Sequence, residues 1–164
     1  MQAEMYEITP CPQGRLATMP RPRGGEWLKG ELASLKKRYV TDVISMLTPE
    51  EEEETWLQAE AQTCAEVGMR FHRFLVLDRG VPVQPEFDHF ISSLLPVLTE
   101  QQGFIAIHCR AGIGRSTVVA AAFLIRLGLS ADEALARISL ARGFDVPDTD
   151  AQLDFIYSLE QRRE

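Results

Sequence analysis

The chain has 164 residues, 45% of them apolar and 25% charged, with a net charge of −7. A chain of that length makes one domain and buries ~70% of the surface its unfolded form exposes, so it needs no disulfide or metal staple. The composition excludes a disordered tail, a collagen-like chain and a disulfide scaffold, and the acidic balance speaks against nucleic acid or an anionic membrane surface as a partner.

Residues 1–25 hold four of the nine prolines, Pro10, Pro12, Pro20 and Pro22, which marks an irregular opening segment with a short strand at Arg15–Met19. Gly24-Gly25 precede a helical pattern over Glu26–Arg38, with Trp27, Leu28, Leu32 and Leu35 on one side. Tyr39–Leu47 is rich in β-branched and apolar residues and reads as a strand. Thr48-Pro49-Glu50-Glu51 is a helix start: Thr48 caps, Pro49 takes the first helical position and Glu51 closes a capping box. The acidic run Glu50–Glu54 then complements the helix dipole, and the helix is expected to run to Val67, ended by Gly68.

Phe71–Leu77 reads as a strand, with Phe74–Leu77 apolar on both faces as in a buried parallel strand. Gln84-Pro85 opens a helix to Glu100. Phe104–Ile107 is a second doubly apolar strand, followed by a loop and an Ala-rich helix over Arg115–Leu127. Ser130 with Glu133 and Thr149 with Gln152 form capping boxes for two further helices, the first running to Arg142. Strands alternating with helices predict a single α/β domain with a central, mostly parallel sheet flanked by helices.

The loop after Phe104–Ile107 reads His108-Cys109-Arg110-Ala111-Gly112-Ile113-Gly114-Arg115-Ser116. A glycine-containing loop that enters a helix N-terminus aims several backbone N–H groups at one point, and the helix dipole adds positive potential there. Arg115 supplies a planar fork suited to two phosphate oxygens. The same field favours the ionised form of a thiol at Cys109. A thiolate facing a bound phosphate is equipped for covalent phosphoryl transfer. A Walker loop requires a Lys before Ser116, and a dinucleotide fingerprint requires a glycine where Thr117 stands.

His108-Cys109, five residues, then Arg115-Ser116 resembles the signature of the cysteine-dependent protein tyrosine and dual-specificity phosphatases. Gly112 and Gly114 stand where that family places glycines, and the resemblance extends loosely from Leu32 to Ile156, with the small dual-specificity group of the kinase-associated phosphatases most similar. The resemblance implies hydrolysis of phosphotyrosine, with phosphoserine and phosphothreonine as further substrates, through a cysteinyl-phosphate intermediate, with no metal or cofactor. Cys109 is the expected nucleophile. Arg115 and the N–H groups of Arg110, Ala111, Gly112, Ile113, Gly114 and Arg115 are expected to hold the phosphate oxygens, with His108 supporting the loop from behind. By resemblance, Ser116 donates a hydrogen bond to the leaving thiolate. Two other readings stay open: a phosphoinositide phosphatase, favoured by the extra charge of Arg110, and a non-catalytic phosphoprotein-binding module.

The ester's leaving group needs a proton, so a carboxyl group is expected to face the loop. Asp78 follows its apolar strand as Cys109 follows its own, and if the two strands are parallel neighbours both residues lie at one carboxyl edge. Its separation from Cys109 resembles the family's spacing; Glu86 and Asp88 compete but fall in a predicted helix. Gln152 matches a glutamine with which larger relatives orient water, although the Thr149 capping box accounts for it as well. Arg142-Gly143 resembles a structural segment of the family.

Three cysteines, Cys11, Cys64 and Cys109, suggest reduced thiols. Cys64 falls within a helix, where burial is expected, and His72 and His89 show no partner pattern. Met1–Pro12 carries acidic residues and no apolar run, so no signal peptide is expected there. Thr117–Leu129, the most apolar stretch, contains Arg126 and is shorter than the ~20 residues of a membrane span. A cytoplasmic protein with phosphorylated proteins or peptides as partners is expected.

Overall fold

The inner strands of the sheet are buried on both faces, and helices cover each face. The computed structural model describes residues 2–162. Its strands are β1 (Tyr6–Ile8), β2 (Arg15–Met19), β3 (Asp42–Ser45), β4 (Arg70–Arg73) and β5 (Phe104–His108). They form one sheet in the order β1-β2-β5-β3-β4, parallel throughout except for the β1–β2 pair. The helices are α1 (Leu28–Lys37), α2 (Pro49–Glu54), α3 (Glu60–Val67), α4 (Glu86–Thr99), α5 (Arg115–Arg126), α6 (Ala131–Arg142) and α7 (Asp150–Gln161). The expected α/β domain with a mostly parallel sheet is therefore the observed one.

All five residues of β5 are buried. Phe104 and Ala106 enter the core shared with Leu32 and Leu35 of α1 and Cys64 of α3. Ile105 and Ile107 enter the larger core on the other face, with Phe87 of α4, Val119 and Phe123 of α5, and Ile156 of α7. Helix α5 is buried on every side over Arg115–Ile125, which fits its Ala- and Val-rich sequence. The capping boxes at Thr48, Ser130 and Thr149 all form, and Gly68 and Gly143 end their helices with left-handed backbone.

Five expectations need correction. The opening segment is not irregular throughout: Tyr6–Ile8 and Arg15–Met19 form an antiparallel pair, and β2 lies directly against β5. The helix expected over 49–67 is broken into α2 and α3. Trp56 turns left-handed (φ +60°), and the Leu57 N–H reaches back to Glu52 O at 2.8 Å, so that Leu57 and Cys64 enter the core beside α1. The strand expected over Phe71–Leu77 stops at Arg73. It is an edge strand, and its partner β3 ends at Ser45, so Leu75 and Leu77 beyond it are 49% and 70% exposed rather than buried. Strands β4 and β5 are not neighbours, because β3 lies between them; since β3 is parallel to both, their carboxyl ends still share one edge. Trp27, expected to face inward, is 45% exposed.

Candidate active site

Strand β5 delivers the chain into the loop Cys109–Gly114 at the carboxyl edge of the sheet, and α5 starts directly after it. Buried carbonyls must find partners, and here the partners draw them away from the loop's centre. Arg110 O accepts from the Arg21 N–H at 3.1 Å. The Arg142 guanidinium donates to Ala111 O at 3.3 Å and to Gly112 O at 3.2 Å. Ile113 O accepts from the Thr117 hydroxyl at 2.6 Å, and Gly114 O from the Val118 N–H at 3.2 Å. With its carbonyls held outside, the loop's N–H groups are left for the cleft. Gly112 is left-handed (φ +76°), and a Cβ there would lie 2.7 Å from the Met19 carbonyl carbon and the Pro20 nitrogen, so glycine is required.

The loop walls a cavity of about 220 Å³ that Cys109, Arg115 and Asp78 line together. Arg110, Ala111, Ile113 and Gly114 also face it, as does Gln152, while Gly112 packs against the Met19–Pro20 backbone instead. Cys109 is 3% exposed, and its Sγ lies 3.4 Å from Ser116 Oγ. Behind it His108 is fully buried. Its Nδ1 faces Cys109 O at 3.3 Å and its Nε2 faces the buried Glu60 carboxylate at 2.6 Å. Among the described residues, Glu60 Oε1 has no hydrogen-bond partner.

Arg115 is also buried, and Glu51 grips it with two bonds: Nη1 to Oε1 at 2.7 Å and Nη2 to Oε2 at 2.8 Å. Nη1 donates further to Val76 O at 2.8 Å and Met46 O at 3.3 Å, and Nη2 reaches Asp78 Oδ1 at 3.3 Å. Burial pulls the guanidinium's pKa down, but the Glu51 bonds and the charges of Cys109, Glu51 and Asp78 outweigh it and raise the value. Burial pushes the Glu51 carboxyl up; bonds from Arg115 and the Thr48 N–H, with Arg115's charge, more than reverse this and hold it below its ordinary value. Glu51 thus closes a helix cap and orients Arg115 at once. Its cap role was legible in the sequence, and its contact with Arg115 was not, because the bland account of the acidic run is correct as far as it goes.

Asp78 sits in a turn closed by the Gly80 N–H on Leu77 O at 2.8 Å, with its side chain 65% exposed. Arg79, the next residue, is left-handed (φ +64°) and pairs with Asp148 at 2.9 Å. Asp148 is a second carboxylate in the cleft that sequence reasoning missed. Gln152 is fully buried: its Oε1 accepts from the N–H groups of Asp148 and Thr149, and its Nε2 donates to Gly80 O. The competing carboxyls stay out of the cavity, with Glu86 at the start of α4 and Asp88 bound to Arg162.

Arg110 is exposed and bound to Glu54 at 2.8 Å. Cys64 is buried in the α1 side of the core, where desolvation first and the nearby Glu60 charge second push its thiol up to about 12. Cys11 is a free thiol that donates to Gln13 O at 3.3 Å. His72, for which the sequence showed no partner, binds the buried Asp42 at 2.8 Å, and His89 is exposed on α4.

A thiol and a guanidinium on a loop of outward carbonyls, set between a parallel strand and a helix, define a cysteine-based phosphatase of the dual-specificity type. Residues 9–158 match the PTP-SAK family, described as Swiss Army Knife protein, DSP-PTPase phosphatase domain, and the chain belongs to that family. No curated protein matches the sequence significantly. Among solved structures, the chain is similar to a kinase-associated phosphatase with its catalytic-site cysteine changed to serine (TM-score 0.87, 19% identity, 99% of this chain and 97% of that one). It is similar to Tk-PTP in its active form (TM-score 0.76, 23% identity, 96% and 97%) and to PTPMT1 in complex with PI(5)P (TM-score 0.73, 20% identity, 90% and 91%). At these identities the likeness is one of fold.

Proposed function

We propose that this protein hydrolyses phosphotyrosine in proteins or peptides, with phosphoserine and phosphothreonine as slower substrates, through a cysteinyl-phosphate on Cys109. The observation that carries the reading is the single small cavity onto which Cys109, Arg115 and Asp78 converge. The Cys109 thiolate attacks phosphorus while Arg115 and the loop N–H groups hold the equatorial oxygens. The bound phosphate takes over the Arg115 Nη2 that now touches Asp78, which frees Asp78 to protonate the leaving oxygen. Asp78 suits that role better than Asp148, whose carboxylate is engaged by Arg79. Ser116, at 3.4 Å from the sulfur, donates to the thiolate as it leaves, and Asp78 then serves as base for water.

Protein substrates are favoured over phosphoinositides because Arg110, the extra cation of the loop, is already paired with Glu54, and Ile113 adds no charge. The specific observation for the lipid reading is the shared fold with a PI(5)P-bound phosphatase. Among the described residues no helix is long and apolar enough to cross a membrane. The unpaired thiols support a cytoplasmic site of action.

A set of phosphate esters with leaving groups of graded acidity tests the mechanism. Asp78→Asn is expected to lower kcat/KM by roughly 10²–10⁴ for phosphotyrosine and far less for an ester that needs no proton. An equal loss on both, or none, would move the acid to another residue. A side-by-side assay of phosphopeptides and inositol phospholipids decides the substrate class, with preference for a lipid headgroup counting against the protein reading.

A further inference from the structure

The turn that carries Asp78 has little apolar burial to hold it. Leu75, Leu77, Val81 and Val83 around it are exposed, and only Val76 and Pro82 are buried. Arg79 adopts a left-handed backbone that glycine takes freely and a longer side chain takes only under constraint, although a glycine stands next to it at Gly80. Such a conformation persists where the surroundings fix it. Besides the turn's own Gly80 N–H bond to Leu77 O and the Arg115 contacts with Val76 O and Asp78, two ties do so here, and both run to the start of α7. Gln152 Nε2 donates to Gly80 O at 3.1 Å, and Arg79 Nη1 binds Asp148 Oδ2 at 2.9 Å.

The orientation of the Gln152 amide is settled by its partners. Its oxygen accepts two N–H groups, from Asp148 and Thr149, each at 3.2 Å, and its nitrogen meets a carbonyl. A flipped amide would set donor against donor. The amide also lies against the phosphate loop, since a Cβ on Gly114 would stand 2.9 Å from both of its polar atoms. One buried side chain therefore touches the Asp78 turn, the α7 cap and the Cys109 loop, and both of its polar atoms are bonded to backbone.

We infer that Gln152, with the Arg79–Asp148 pair, is the clamp that fixes the Asp78 turn over Cys109, so that Gln152 is a positioning residue for proton transfer rather than a group that orients water. The inference rests on the reading of Asp78 as the acid. Clamping the turn keeps the carboxyl near the leaving oxygen without help from substrate, and releasing it removes neither the thiolate nor Arg115.

Gln152→Glu separates the clamp from the cap. A glutamate still accepts the Asp148 and Thr149 N–H groups, as in an ordinary capping box, but has no N–H for Gly80 O. On aryl phosphates of graded leaving-group acidity, the variant is expected to lose ~10–100-fold in kcat/KM with the least acidic leaving group, the range of a small misplacement of a catalytic group. With the most acidic leaving group, which needs no proton, the loss is expected to stay under about twofold. The Asp78→Asn variant, run beside it, gives the same gradation in larger form, and adding Gln152→Glu to it changes little further.

A graded Asp78→Asn series beside a flat Gln152→Glu series overturns the clamp alone. So does a loss in kcat, with kcat/KM unchanged, that is equal for all leaving groups in Gln152→Glu and comes with a product burst, because that places Gln152 on the water step. A flat Asp78→Asn series fails the acid assignment and takes the clamp with it. Should the buried glutamate prevent folding, Asp148→Ala cuts the other tie at a half-exposed position. A graded loss there supports the clamp, and a flat or unchanged profile overturns it.

Discussion

Glu51→Gln isolates what holds Arg115 in place. The carboxylate is buried, accepts both Arg115 Nη groups at 2.7 and 2.8 Å, and takes the Thr48 N–H at 3.1 Å. The amide keeps one oxygen, so the capping box can still close. It also sets an NH₂ against a guanidinium N–H and removes the buried counter-charge. Losing one charge-assisted bond costs about 1.5–3 kcal/mol, and stripping a buried pair of one partner costs about 3–5 kcal/mol. Because one oxygen survives, a loss of about 2–4 kcal/mol is expected in urea unfolding at neutral pH. Arg115 then loses its fixed aim, and kcat/KM on an aryl phosphate is expected to fall by ~10²-fold, with weaker vanadate inhibition. The control is Thr48→Ala, which removes the cap hydroxyl alone: about 1 kcal/mol, with kcat/KM nearly unchanged. A Glu51→Gln protein that matched this control in both stability and kcat/KM would refute the account of Arg115.

Gly112→Ala forces a Cβ within 2.7 Å of backbone at a left-handed position; a loss of about 1–3 kcal/mol is expected in urea unfolding, together with collapse of kcat/KM. Arg142→Met keeps an apolar stem against the Tyr6 and Phe144 rings but drops the bonds to Ala111 O and Gly112 O. With two loop carbonyls released, about 0.5–1.5 kcal/mol each, the vanadate inhibition constant is expected to rise while Arg142→Lys lies between. Acid stability follows Asp42, where burial raises the carboxyl but bonds from His72, Arg70 and Thr41, with Arg70's charge, hold it far below its ordinary range. A depressed carboxyl contributes stability above its unfolded value of ~3.9, and this is lost as pH falls toward the folded value. The stability gap between wild type and Asp42→Asn, measured by urea unfolding, is therefore expected to shrink as pH falls below ~4.

Local chemistry made much of this fold legible. Thr48, Ser130 and Thr149 announced three helices because a capping box is a short-range pattern that needs no partner from elsewhere. The loop from Cys109 to Arg115 was legible for the same reason, since its function is encoded in one stretch of backbone. What escaped depends on long-range pairing. The strand β1 is three residues long and exists by pairing with β2. Phe74–Leu77 has the composition of a buried strand, but lies beyond the end of its neighbour, β3. Glu51, Arg142, Asp148 and Glu60 meet the loop or its supports across large sequence separations. Asp78 shares an edge with Cys109 although β4 is not next to β5, because parallel pairing through β3 sets their carboxyl ends on one side.

The proposed mechanism passes phosphate through Cys109. Mixing the protein with an aryl phosphate, quenching in denaturant within the first turnovers and mapping the peptides tests it directly. Phosphate is expected on the Cys109 peptide of the wild type, and the Cys109→Ser protein is expected to carry no label, turn over no ester and still bind vanadate. Turnover by Cys109→Ser at the wild-type rate, or wild-type turnover with the label on any other residue, would contradict it.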